Sequence, residues 1–174
     1  QHGHAFRIGK TLQGDAPQHL ALAADFHQGG LLAGDGEQRV GGRVIAETGK
    51  LFLLKTRHFQ RWMRKTELTD QVLCTAVAEM VQGLIDADLG GGVVKKRVGL
   101  AGRGKRGGAR TLVATNKGSR WFFVFGFEMN DRANIDDDER EALQTLAADL
   151  LARTPAQLTL AVEDGALLEI CNDH

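Results

Sequence analysis

From residue 51 onward, apolar and polar positions fall into short blocks with recognisable periods. Leu51-Phe52-Leu53-Leu54 is a continuous apolar run of the kind that forms a buried strand. Between His58 and Leu68, the side chains of Phe59, Trp62 and Met63 recur at helical spacing and predict a short amphipathic helix. Arg61, Arg64 and Lys65 lie off that stripe, facing water or a partner. Thr69-Asp70 then supplies N-cap chemistry for a second helix. Its stripe of Val72, Leu73, Ala76, Val77, Met80, Val81 and Leu84 predicts a helix running to the turn Gly90-Gly91-Gly92.

After those glycines the period changes. Val93 to Val98, Arg110 to Thr115 and Arg120 to Phe127 are β-like runs, and Asn116-Lys117-Gly118-Ser119 makes a hairpin turn between the last two. Short turns between consecutive strands imply an antiparallel meander. The run from Trp121 to Phe127 is almost wholly apolar, as befits a central strand covered on both faces. Asp136, with Glu139 three residues on, has the spacing of a capping box, and Leu143, Leu146, Ala147, Leu150 and Leu151 give the helix behind it an apolar face. Pro155 opens a further helical stretch, and Leu167 to Ile170 suits a closing strand.

The first 50 residues follow no sustained period. They hold ten of the glycines and four of the six histidines, and their only apolar stretch of any length is Leu20 to Phe26. Too little apolar surface is present there to offset the entropy of ordering, so residues 1–50 are expected to be a poorly ordered leader or a mis-extended start. Residues 51–174 are expected to be the domain proper. No apolar run reaches the ~20 residues that span a bilayer, and no secretory cleavage pattern follows the early apolar stretch, so the expectation is a cytoplasmic protein without membrane association. Cys74 and Cys171 form no CxxC pair and sit in apolar surroundings, which suggests two buried thiols. Neither they nor His2 and His4 have the spacing of a built metal site, and neither a metal nor another cofactor is expected.

Formal net charge is zero, which alone would argue against a nucleic-acid binder. The distribution changes that picture. Between Leu89 and Phe127 there is no Asp or Glu, but there are nine basic residues: Lys95, Lys96, Arg97, Arg103, Lys105, Arg106, Arg110, Lys117 and Arg120. On a strand Lys95 and Arg97 project from one face and Lys96 from the other. Gly102-Arg103-Gly104-Lys105-Arg106-Gly107-Gly108 reads as a flexible loop whose backbone can approach a phosphate closely. It lacks the spacing of a Walker loop and joins two strands, so it does not point to ATP. Converging Lys and Arg side chains suit a polyphosphate backbone. A solvated basic loop that holds an acidic partner fits the same spacing.

Several segments together resemble the RelE/ParE superfamily of type II toxins, in its RelE/HigB-like, phage-derived branch. They are Lys-Thr-Arg-His-Phe-Gln-Arg-Trp from Lys55, Leu-Ile-Asp-Ala-Asp-Leu-Gly-Gly-Gly-Val-Val-Lys-Lys-Arg from Leu84, Gly-Arg-Gly-Lys-Arg-Gly-Gly-Ala-Arg from Gly102, and Phe-Val-Phe-Gly-Phe with Asn130, Arg132 and Asn134. The resemblance implies an α+β fold: an N-terminal strand and two helices, then an antiparallel meander and a C-terminal helix. It also implies a metal-independent endoribonuclease that cuts mRNA, on the ribosome, by attack of the RNA 2′-hydroxyl on the adjacent phosphate. Such cleavage needs a base, an acid and a positive clamp. By this resemblance Lys95, Arg97, Arg103, Lys105, Arg110 and Arg132 are the catalytic candidates, with Lys95 or Lys105 as a base whose pKa is lowered by crowding of like charges. Lys96, Arg106, Lys117 and Arg120 are the RNA-binding candidates. The partners implied are a cognate antitoxin, of helix-turn-helix type in one version, together with mRNA and the ribosome. The chain departs from several members in having no tyrosine, in Ala109 where an aromatic residue is common, and in Glu128 where lysine is expected. Two alternatives therefore stand beside the nuclease: a ParE-like inhibitor of DNA gyrase, and an inactive relative that only binds its antitoxin.

Overall fold

A computed structural model describes residues 50–100, 102 and 104–171, with the backbone alone at 104–106. The leader expected over residues 1–50 lies, but for Lys50, outside the described residues.

The chain opens with β1 (Phe52–Thr56), α1 (Arg57–Met63) and α2 (Asp70–Val81). It continues through β2 (Ala87–Gly90), β3 (Val93–Leu100), β4 (Gly104–Thr115) and β5 (Arg120–Glu128). It ends with α3 (Asp137–Leu151), α4 (Pro155–Asp164) and β6 (Leu167–Glu169). These strands form one sheet in the order β2-β3-β4-β5-β1-β6. β2 to β5 are the expected antiparallel meander, whereas β1 lies parallel to β5, pairing Phe52 with Arg120 and Lys55 with Phe123. β6 closes the far edge antiparallel to β1. The architecture is the α+β arrangement that the sequence predicts.

Helices cover both faces. On one, α3 and α4 bury Leu143, Leu146, Leu150 and Leu158 against Phe52, Leu54, Leu112, Phe122 and Phe127. On the other, α1 and α2 bury Phe59, Leu73, Val77 and Met80 against Val94, Val98, Val113, Trp121 and Phe123. Every residue from Arg120 to Phe127 is buried, which explains the unbroken apolar run. Each fully buried Leu or Phe contributes about 1.5–3 kcal/mol, so this double-sided burial is the main source of stability. Alternation along β5 is reset by a register shift opposite Leu112 and Val113, so Val124 and Phe125 both join the α3 side. Gly126 consequently faces α1, where a Cβ would lie 2.4 Å from the Trp62 ring.

Helix ends obey local chemistry. Thr56 caps α1 by accepting from Phe59 N–H at 3.1 Å, and Thr69 caps α2 by accepting from Val72 N–H at 3.3 Å. At α3 the capping box is complete: Asp136 accepts from Glu139 N–H at 2.8 Å, and Glu139 accepts from Asp136 N–H at 2.9 Å.

Three expectations need correction. The second helix stops at Val81, because Gly83 turns the chain with φ +95. Val81 and Leu84 keep the helical period but are 61% and 58% exposed, so neither belongs to the buried stripe. From there Asp86 donates its N–H to Lys95 O at 3.0 Å and accepts Arg97 N–H on its carboxylate at 2.6 Å, drawing residues 87–90 alongside β3 as a strand. The stretch read as an open glycine loop is largely strand: β4 begins at Gly104, which pairs with Leu100, and Gly102 makes the turn at φ +74. Finally, Cys74 and Cys171 are not free thiols but form a disulfide, Cα–Cα 5.7 Å, that ties α2 to the segment after β6. Sequence spacing hid it because the partners stand 97 residues apart.

Candidate functional site

Strand alternation divides the basic residues of β3. Val93 joins the α3-side core and Val94 the α1/α2-side core, so Lys95 and Arg97 follow Val93 and Lys96 follows Val94. On β4, Arg110 shares the α3 side with Leu112 and Ala114. Arg97 is the direct cross-strand partner of Arg110, and Arg110 in turn is the partner of Phe127 on β5. α3 packs over Val93, Leu112 and Ala114, and the two arginines continue this face beyond that packing. The Arg97 side chain is 41% exposed, with Nε at 3.8 Å from Asp86 Oδ1. Arg110 is half-buried, and its Nη1 is buried without a hydrogen-bond partner among the described residues. Like charges directly opposite each other on neighbouring strands are unfavourable by themselves. Their arrangement is suited to share an anion.

The segment between β5 and α3 brings further groups to the same side. Lys95 Nζ donates to Asn134 Oδ1 at 3.2 Å. Arg132 donates Nε to Asn134 O at 3.2 Å and grips both carboxylate oxygens of Glu139, with Nη1 to Oε2 at 3.1 Å and Nη2 to Oε1. Glu139 is 1% exposed and serves the α3 capping box as well, so Arg132 is fixed by the start of a helix. Its guanidinium also lies over the Phe127 ring at 5.5 Å and the Phe125 ring at 6.0 Å. Asn134 thus links Lys95 to Arg132. The charge of Arg132 is partly spent on Glu139, which leaves it a directional donor more than a free cation.

Other candidates are committed elsewhere. Lys96 is buried on the α2 side, where Nζ pairs with Glu79 Oε1 at 2.8 Å and donates to Leu84 O at 2.9 Å. Arg120 is buried too, with Nη1 donating to Arg153 O at 2.6 Å and Leu151 O at 3.3 Å. Both groups, expected on a nucleic-acid surface, hold the fold together instead. Lys117 sits in the β4–β5 turn in an exposed pair with Asp88 at 2.6 Å, and this ammonium holds the Asp88 carboxyl below its ordinary range. Arg103 and the side chains of Lys105 and Arg106 lie outside the described residues. Lys95, Arg97, Arg110 and Arg132 remain as the group that the fold gathers on one side.

A neighbouring feature escapes sequence reading. Between α1 and the outer end of β5 lies an open cleft of about 500 Å³, lined among others by His58, Arg61, Trp62, Arg64, Lys65 and Arg132. His58 stacks on Phe125 with ring centroids 5.9 Å apart and planes 8° from parallel. The signal was the row of basic residues off the apolar stripe of α1, but nothing in the sequence said which strand they would face. Among the described residues no cluster of three or more His, Cys, Asp or Glu side chains is arranged to hold a metal ion. Nor is any helix there long and apolar enough to cross a membrane.

Compared with known families, residues 51–170 match the model described as the RelE toxin of the RelE/RelB toxin-antitoxin system. A comparison with individually curated proteins finds no match.

Proposed function

The chain belongs to the RelE toxin family, a family of toxin-antitoxin toxins with a cognate antitoxin as partner, and from that premise we propose that it is an endoribonuclease that cleaves mRNA on the ribosome. The observation that carries this reading is the facing pair Arg97 and Arg110, with Arg110 Nη1 buried and without a hydrogen-bond partner among the described residues. Such a pair is poised to clamp a phosphate through bidentate contacts.

In the proposed reaction the 2′-oxygen attacks the adjacent phosphorus, a bond forms between them, and the bond from phosphorus to the 5′-oxygen breaks. The departing 5′-oxygen takes a proton from solvent, so the products are a 2′,3′-cyclic phosphate and a free 5′-hydroxyl. Lys95, held by Asn134, takes the proton of the attacking hydroxyl when its side chain is the neutral amine. Arg97 and Arg110 balance the charge that builds on the phosphorane oxygens, where fixed donors act most strongly. Arg132, oriented by Glu139, points a further donor at the same end of the face. Lys105 is the alternative base, and Arg103 would add to the clamp from the turn before β4.

Incubating the purified protein with programmed ribosomes and sequencing the RNA ends tests this. Cleavage within the exposed codon with 5′-hydroxyl ends is expected, falling about 100- to 1,000-fold with Arg110→Ala, the loss typical of removing one such donor. Equal cleavage by the variant would show that the phosphate is held elsewhere.

A further inference from the structure

We propose that the cleft between α1 and the outer end of β5 is a binding subsite for a nucleotide of single-stranded RNA flanking the cleaved phosphate. The inference rests on the ribonuclease reading and extends it to a surface that shares only Arg132 with the groups assigned to the reaction.

The cleft follows from the topology. β1 accompanies β5 only as far as the pairing of Lys55 with Phe123, whereas β5 runs on to Glu128. At Arg57 the chain leaves the sheet to form α1, so a helix borders the last residues of β5 on that side. The gap measures about 500 Å³, within the ~300–1,000 Å³ of small-molecule sites.

Its lining has the chemistry of a single strand. Arg61, Arg64 and Lys65 are exposed along one turn at the end of α1, Arg132 stands across from them, and Asp131 is the one carboxylate in the lining among the described residues. The planar groups are Trp62, held over Gly126, and His58, stacked on Phe125. Cations that follow a backbone beside rings that accept a base are how single-stranded nucleic acid is held. Position favours RNA as well: Arg132 lies over Phe127, and Phe127 is the strand partner of Arg110, so the cleft adjoins the arginine clamp. A strand whose phosphate sits at Arg97 and Arg110 would pass next across Arg132 into this cleft.

The test measures binding without cleavage. The full chain is titrated against a labelled short RNA carrying 2′-O-methyl groups throughout, at several salt concentrations, beside the triple variant R61Q/R64Q/K65Q. All three side chains are exposed, and an unchanged melting temperature will confirm that the variant folds. Affinity is expected to fall at least tenfold, with the slope of log affinity against log salt shallower by about 2, since each neutralised phosphate contact on a single strand contributes ~0.7. Unchanged affinity and slope would overturn the proposal. So would a variant that still binds this RNA but no longer binds polyglutamate, which would make the cleft a protein-docking surface. Failure of the ribonuclease reading would look different: the unaltered chain would leave mRNA on programmed ribosomes uncut, while loss of binding by the triple variant would still support the subsite.

Discussion

At the scale of single residues, the same chemical type does opposite work according to which way a strand turns it. Lys95 and Lys96 are neighbours in sequence, yet Lys95 reaches Asn134 on the α3 side, and Lys96 is buried against Glu79. Alternation made that division legible. It could not reveal that Lys96 and Arg120 would be consumed by partners, because Glu79, Leu84, Leu151 and Arg153 come from other elements. Removing a buried partner leaves the other charge uncompensated, although Glu79 is 28% exposed and regains part of its hydration. Lys96→Ala is therefore expected to lower stability by about 2 kcal/mol in urea denaturation while RNA affinity stays near that of the parent chain. A variant of full stability with weak RNA binding would return Lys96 to the interface. Arg132 shows the reverse limit: the resemblance singled it out, but its grip on Glu139 depends on how the loop meets α3.

At the scale of elements, the strongest local signals translated directly into structure. The cap of α2 and its stripe from Leu73 to Met80, the capping box of α3, Pro155 at the start of α4 and the apolar run of β5 all stand where composition and period put them. What failed was punctuation. Leu84 extended the apparent period of α2 beyond its end, β2 has too few apolar residues to announce itself, and the glycines of β4 resembled a loop because their pairing with β3 is a property of the sheet. The register shift in β5 was equally hidden, although it decides that Gly126 faces Trp62. Gly126→Ala is accordingly expected to push Trp62 off the strand and cost about 1–3 kcal/mol, the range for overpacking a filled site. The accompanying change in tryptophan fluorescence would locate the effect in the cleft. A stability equal to that of the parent would mean that α1 is free to move away.

At the scale of the whole molecule, the order of elements was readable, but two long-range connections were not. The parallel pairing of β1 with β5 brings together residues 52–55 and 120–123, a contact that neither the periods nor the element order implied by the resemblance specified. The disulfide between Cys74 and Cys171 fastens α2 to the segment just after the short strand β6 across a 97-residue separation. Closing a loop of that length restricts the unfolded chain, so Cys74→Ser, or full reduction, is expected to lower stability by about 2–4 kcal/mol. Denaturation with and without a thiol reductant measures it, and overlapping curves would show that the crosslink does not hold the fold. The pairing of β1 with β5 and the meander together place Lys95, Arg97, Arg110 and Arg132 on one side, beside the cleft under α1.

The most direct test of the ribonuclease assignment is to induce the full chain in cells without its antitoxin, beside the Arg110→Ala form, and to map mRNA 5′ ends across the transcriptome. Growth arrest with new ends inside coding regions, absent with the variant, is the expected result. Arrest with intact mRNA and damaged DNA, or no arrest at all, would contradict it.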